Sequence, residues 1–162
     1  MQDEESDFPI ELTKGVWHST SSERYNKISE SKYIKPEPDI PDEERCTNSS
    51  SFVRSLGGVS LFDFRHFNLA EYNHKYDLAI WATFVPCRSG WDETIWLELD
   101  EEKMNTAYLS PNEVMLKLSI AKAGQQIVPE IEAAHIGVIP ISFIKRALRY
   151  SDMLGEFVEI HE

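Results

Sequence analysis

Strand-length apolar runs, rather than long helical stripes, limit what this chain can fold into. Residues 15–20, 59–64, 78–85, 94–99, 127–136 and 156–160 are each rich in β-branched, aromatic or aliphatic residues and are bounded by Gly, Pro, Asp or Ser. Helix signals are fewer. Thr20-Ser21-Ser22-Glu23 has the spacing of a capping box ahead of a helix that ends near Ser31. Asn68 caps a short helix over 69–76. Ser110-Pro111-Asn112-Glu113 is a second capping box with Pro at the first helical position, and Gly124 is a fitting stop. The run 114–120 also reads as a strand. A last helix is predicted over 142–150, with Phe143, Ile144, Ala147 and Leu148 on its buried face. Strands outnumber helices and do not alternate strictly with them. The class is therefore α+β, with a mixed, largely antiparallel sheet.

The chain has 162 residues and 41% hydrophobic content, enough for one domain with a real core. Residues 1–11 read as an acidic flexible arm and 12–162 as a single domain. With 16 Lys+Arg against 28 Asp+Glu, the formal net charge is 16 − 28 = −12. Like-charge repulsion then opposes broad binding to nucleic acid or an anionic membrane. No run approaches the roughly 20 apolar residues of a membrane span, and the acidic N-terminus does not look like a secretory leader. A cytoplasmic protein is the expectation, with Cys46 and Cys87 as free thiols. The five His, including His66 and His74, show no zinc-ligand spacing, so no metal site is expected. Pro36, Pro38 and Pro41 with Asp39, Asp42, Glu43 and Glu44 make 36–51 a long irregular segment suited to a lid or a recognition loop.

Two features carry possible chemistry. His18 ends an apolar strand and is followed by Ser19, Thr20 and a capped helix start. That places an imidazole at a cleft mouth next to a helix N-terminus suited to anions, although capping of local backbone is the plainer reading. Glu130 and Glu132 lie two apart in an extended run, so period-2 alternation puts both on one face. Solvated, they are ordinary surface; facing a cleft, one of them binds a sugar hydroxyl or stabilises positive charge at an anomeric carbon. Among the tryptophans, Trp17, Trp81 and Trp96 read as core, and Trp91, in a turn, as a candidate binding surface. Cys87 beside Arg88 reads as an inert thiol.

The order of apolar strand with His-x-Thr, helix, Tyr33-Ile34, a Ser-led strand Ser60-Leu61-Phe62-Asp63, then a Glu-bearing strand before Ile139-Pro140 resembles the ADP-ribosyltransferase-like superfamily. The likeness spans about 14–150. It implies an ADP-ribosyltransferase-like fold and an enzyme that uses NAD to transfer ADP-ribose to an acceptor. By this resemblance His18 and Thr20 hold the adenine-side ribose, and Ser60 and Glu132 lie at the nicotinamide ribose. Glu132 takes the last catalytic place, with Glu130 competing for it. Tyr72 or Tyr76 is an alternative to Ser60, as a ring to stack on nicotinamide. Arg54 is a candidate partner for the pyrophosphate. Lys32 departs from the pattern, standing where the family has Gly. The acceptor is expected to be a protein or small molecule rather than nucleic acid. Two other functions stay open: a non-catalytic acidic binding protein, such as an inhibitor or interaction module, and an NAD-dependent RNA 2′-phosphotransferase.

Overall fold

The computed structural model describes residues 8–36, 52–76, 79–122 and 127–161. In chain order these form β1 (Val16–Thr20), α1 (Ser22–Ser31), β2 (Tyr33–Ile34), α2 (Phe52–Ser55), β3 (Gly58–Asp63), α3 (Leu69–Lys75) and α4 (Ala79–Ala82). There follow β4 (Glu93–Leu99), α5 (Glu101–Met104), β5 (Tyr108–Leu109), α6 (Pro111–Ala121), β6 (Glu132–Ile136), β7 (Ile139–Pro140), β8 (Ile144–Ser151) and β9 (Glu156–Ile160). Seven strands make one sheet in the order β5-β6-β3-β1-β4-β8-β9, and each neighbouring pair is antiparallel. β2 and β7 pair separately. The class is α+β with a largely antiparallel sheet.

Alternation along the central strand β1 feeds two cores. Trp17 packs with Phe62, Phe64, Trp96 and Tyr72 of α3 on one face. Val16 packs with Leu61, Leu97, Ile28 of α1, Ile34 and Ile139 on the other. With Leu61 and Leu97 fully buried, each such side chain stabilises the sheet by about 1.5–3 kcal/mol. Residues 1–7 lie outside the described residues, but Phe8 is already packed, its ring 4.7 Å from Phe67 and 5.0 Å from Phe64, and Leu12 is buried. Phe8, inside the 1–11 stretch expected to be an arm, is thus part of the packed fold.

Several expectations are met in detail. Asn68 caps α3 by accepting the Glu71 N–H at 3.0 Å, and Ser110 and Glu113 form the reciprocal capping box of α6, so 114–120 is helix and not strand. That helix ends at Lys122, in the left-handed conformation, ahead of Gly124, which lies outside the described residues. Lys32, the departure from Gly, ends α1 with φ 70°, a conformation that favours glycine.

Four expectations are corrected. The cap of α1 is Ser21, whose hydroxyl accepts the Arg24 N–H, while Thr20 remains the last residue of β1. The predicted helix over 142–150 is instead β8, paired with β4 from Glu93↔Ser151 to Leu99↔Ile144 and with β9 on its other side. Its adjacent apolar residues mark a strand buried on both faces: Ala147 joins one core and Leu148 the other. A short apolar run does not by itself distinguish that from a helical stripe. Of the predicted strand 78–85, the described residues 79–85 are instead the helical turn α4 followed by a turn that buries Val85 with Trp81. Finally, 127–131 is not strand: β6 begins only at Glu132.

Candidate functional site

The site begins where the two central strands part. β1 and β3 pair at Val16↔Asp63 and Trp17↔Phe62, whereas β1 continues along β4 through Thr20↔Ile95 and β3 continues along β6 through Gly58↔Ile136. Beyond Trp17 and Phe62, His18, Ser19 and Ser60 are half-buried although they lie in the middle of a sheet covered on both faces. Gly57, with φ 77°, makes the left-handed turn that launches β3 into this position, and a side chain there would be strained.

His18 reaches across the parting. Its Nδ1 lies 2.9 Å from the Ser60 carbonyl oxygen. A carbonyl only accepts, so Nδ1 carries the proton and Nε2 keeps its lone pair. Burial pushes the imidazole pKa down to about 4; the Ser60 bond works against this and the Arg24 guanidinium adds to it. The ring is therefore neutral near pH 7, with one acceptor nitrogen to offer a hydroxyl.

Ser60 also meets Glu132. Its hydroxyl donates to Glu132 Oε2 at 2.9 Å, while Glu132 Oε1 accepts the Val128 N–H at 3.0 Å. Both carboxylate oxygens are thus fixed. Burial raises the Glu132 pKa, outweighing the two hydrogen bonds. The register places Trp17, Phe62 and Glu132 on one face, and His18, opposite Leu97, on the other. The two groups thus flank the parting from its two sides, with Ser60 between them.

The remaining expected residues are placed differently. Glu130 sits in a left-handed turn with φ 61°, paired with Lys75 at 3.3 Å, so it does not share a strand face with Glu132. Tyr72 is 4% exposed and packed between Phe67 and Tyr76, so its ring is core and does not stack on a ligand at the parting. Tyr76 is drawn to Glu130 by a side-chain hydrogen bond. Thr20 is 1% exposed, which keeps its hydroxyl from a ligand in this conformation. Arg54 is half-buried on α2, just before the Gly57 turn. The segment 37–51 and Cys46 lie outside the described residues. Cys87 is a free thiol whose pKa burial raises, in keeping with an inert role.

Two arginines carry no site signal in the sequence alone. Arg24, on the first turn of α1, has its guanidinium 5.8 Å from the Trp91 ring centre; Arg88 lies 4.7 Å from the same centre. Trp91 was legible as an aromatic in a turn, and Arg88 three residues before it was the available hint. Arg24 comes near only because α1 folds back over β4.

Among the described residues no group of three or more His, Cys, Asp or Glu is arranged to hold a metal ion, and no helix is long and apolar enough to cross a membrane. No protein-family model matches the chain, and no curated protein matches its sequence. The fold and the site therefore define the protein by class only: an α+β domain with a polar parting between its central strands.

Proposed function

We propose that the protein is an NAD-dependent ADP-ribosyltransferase of the ADP-ribosyltransferase-like fold, acting on an unidentified acceptor. One observation carries this reading: Ser60 joins a neutral His18 on one side to a half-buried, doubly hydrogen-bonded Glu132 on the other. His18, 42 positions before Ser60, and Glu132, 72 positions after it, each hydrogen-bond to it, one at its backbone carbonyl and the other at its hydroxyl.

The residues suit the chemistry. His18 Nε2 accepts a ribose hydroxyl without bringing a positive charge, and Ser60 fixes the ring that does so. NAD, when bound, supplies a glycosidic bond whose electron pair leaves with neutral nicotinamide while positive charge builds on the ribose. Glu132, aimed and desolvated, stabilises that charge more than it stabilises the ground state. A carboxylate already held by Ser60 and Val128 needs little reorganisation as the charge appears.

Calorimetric titration of NAD into the wild type and His18→Ala tests binding. Heat with the wild type and at least tenfold weaker binding by the variant are expected. Nicotinamide release, followed by chromatography, tests chemistry: Glu132→Gln should abolish it while circular dichroism stays unchanged. Absence of NAD binding by the wild type sinks the reading.

A further inference from the structure

We infer that the outer edge of β9 docks an extended segment of a partner protein, added to the sheet as a further strand. In that segment two basic residues enclose two apolar ones, Lys/Arg-apolar-apolar-Lys/Arg. The inference does not depend on the proposed transfer chemistry.

The two ends of the sheet differ. β5 is two residues long and leads into α6, whose Val114 packs with Leu109 and Ala134 over that end. β9, at the other end, pairs with β8 along its whole length, from Ser151↔Glu156 to Ala147↔Ile160, and no strand among the described residues pairs with its outer side. Alternate N–H and C=O groups of such a strand point outward, ready to pair with another chain. Proteins blunt an edge of this kind with Lys, Pro or a bulge. The sequence Glu156-Phe157-Val158-Glu159-Ile160 has no Lys or Pro, and its register with β8 runs without a shift. The edge is also held in place beforehand. The Ser151 carbonyl accepts the Gly155 N–H at 2.8 Å, the Asp152 N–H donates to the Asp92 carbonyl at 2.9 Å, and the Tyr150 and Phe157 ring centres lie 4.9 Å apart. Docking there orders little new chain on this side.

The side chains select what docks. Phe157 leans on the core that holds Leu148, and Ile160 on the core that holds Ala147. Alternation therefore sends Glu159 to the first face and Glu156 and Val158 to the second. Val158 is 49% exposed although it is apolar, and the turn before β9 leaves Met153 and Leu154 exposed as well. Glu156 and Glu159 are both exposed, and residues 151–160 contain no Lys or Arg. Arg149 of β8, opposite Val158, is turned towards Glu93. A strand laid along β9 sets one residue opposite each of Glu156, Phe157, Val158 and Glu159. Cations suit the two carboxylates, and apolar side chains cover Phe157 and Val158. A second copy fits worse: β9 against β9 brings no cation to either carboxylate, and it sets two chains of net charge −12 edge to edge.

The probe is the peptide acetyl-Thr-Lys-Val-Val-Lys-Thr-amide, titrated into the full chain. One control replaces both Lys by Glu. The other replaces the second Val by Pro, which removes a ladder donor and keeps the charge. Amide shifts in the NMR spectrum locate binding and give its Kd. The Lys peptide should bind with a Kd of about 1 mM or tighter, moving the Phe157, Val158 and Glu159 amides most. The Pro peptide should bind at least tenfold more weakly, and the Glu peptide not at all. Glu156→Lys and Glu159→Lys, at exposed positions, should each weaken the Lys peptide at least fivefold, and the double variant should prefer the Glu peptide. Equal binding of the Lys and Pro peptides reduces the site to surface charge and overturns strand addition. Shifts centred elsewhere, or no binding of any peptide up to about 5 mM, overturn it too. A dimer in sedimentation velocity whose formation moves the same amides assigns the edge to a second copy and overturns the partner.

Discussion

Acid should destabilise this protein through one histidine more than any sequence average suggests. His18 is held neutral, its pKa moved from 6.5 to about 4 mainly by burial. The unfolded chain therefore binds a proton that the native state refuses, and stability must fall as pH drops from 6.5 towards 4. Linkage gives about 2 kcal/mol lost between pH 7 and pH 5 for a shift of this size. The ring is half-buried rather than sealed, so screening by solvent reduces the expected loss to about 1 kcal/mol. His18→Asn is the informative perturbation, since its amide can still donate to the Ser60 carbonyl but cannot titrate in this range. Urea unfolding of both proteins at pH 7 and pH 5 measures the difference: the wild type should lose about 1 kcal/mol more than the variant. The imidazole proton shifts, followed by NMR, give the pKa directly. Equal pH dependence of the two proteins, together with a His18 pKa at or above 6.5, would refute the burial of a neutral ring beside Arg24.

Other outcomes follow from neighbouring contacts. Glu132→Gln should raise stability near pH 8 by about 1 kcal/mol. The ionised carboxylate is disfavoured by burial, so its cost appears as pH rises through the raised pKa; the thermal difference from wild type should close at pH 4. Asp63→Asn should cost about 2–3 kcal/mol in urea at pH 7, because the buried carboxylate accepts from Arg65 Nη2 at 2.7 Å and from the Tyr108 hydroxyl. Those bonds outweigh burial and hold the Asp63 pKa below 3.8, so the penalty should shrink only as pH falls through that value. Lys32→Gly, at φ 70°, should stabilise the fold by about 0.5–1 kcal/mol, read as a higher Tm with nicotinamide release unchanged.

Much of the site was legible because its signals are local. A His at the end of an apolar strand, a Ser opening another and a Glu before Ile139-Pro140 are patterns of a few residues, and each fell on β1, β3 or β6. The errors came where neighbours distant in sequence decide. Ile144–Ser151 is a strand because β4 and β9 flank it. Glu130 left the predicted strand for a turn that pairs it with Lys75, 55 positions earlier. Tyr72 reads in the sequence as a candidate ligand-stacking ring because aromatic chemistry looks the same in a core and in a cleft.

The sequence by itself determined the class, the caps of α3 and α6, and the burial of Trp17 and Trp96, since capping and hydrophobic alternation are written within one turn or one strand. Only the tertiary structure decided that β1 and β3 part after Trp17 and Phe62, that Ser60 ties His18 to Glu132, and that Arg24 and Arg88 meet on Trp91. Those arrangements depend on strand order and register, which are set by burying both faces of one sheet at once and are carried by no single segment.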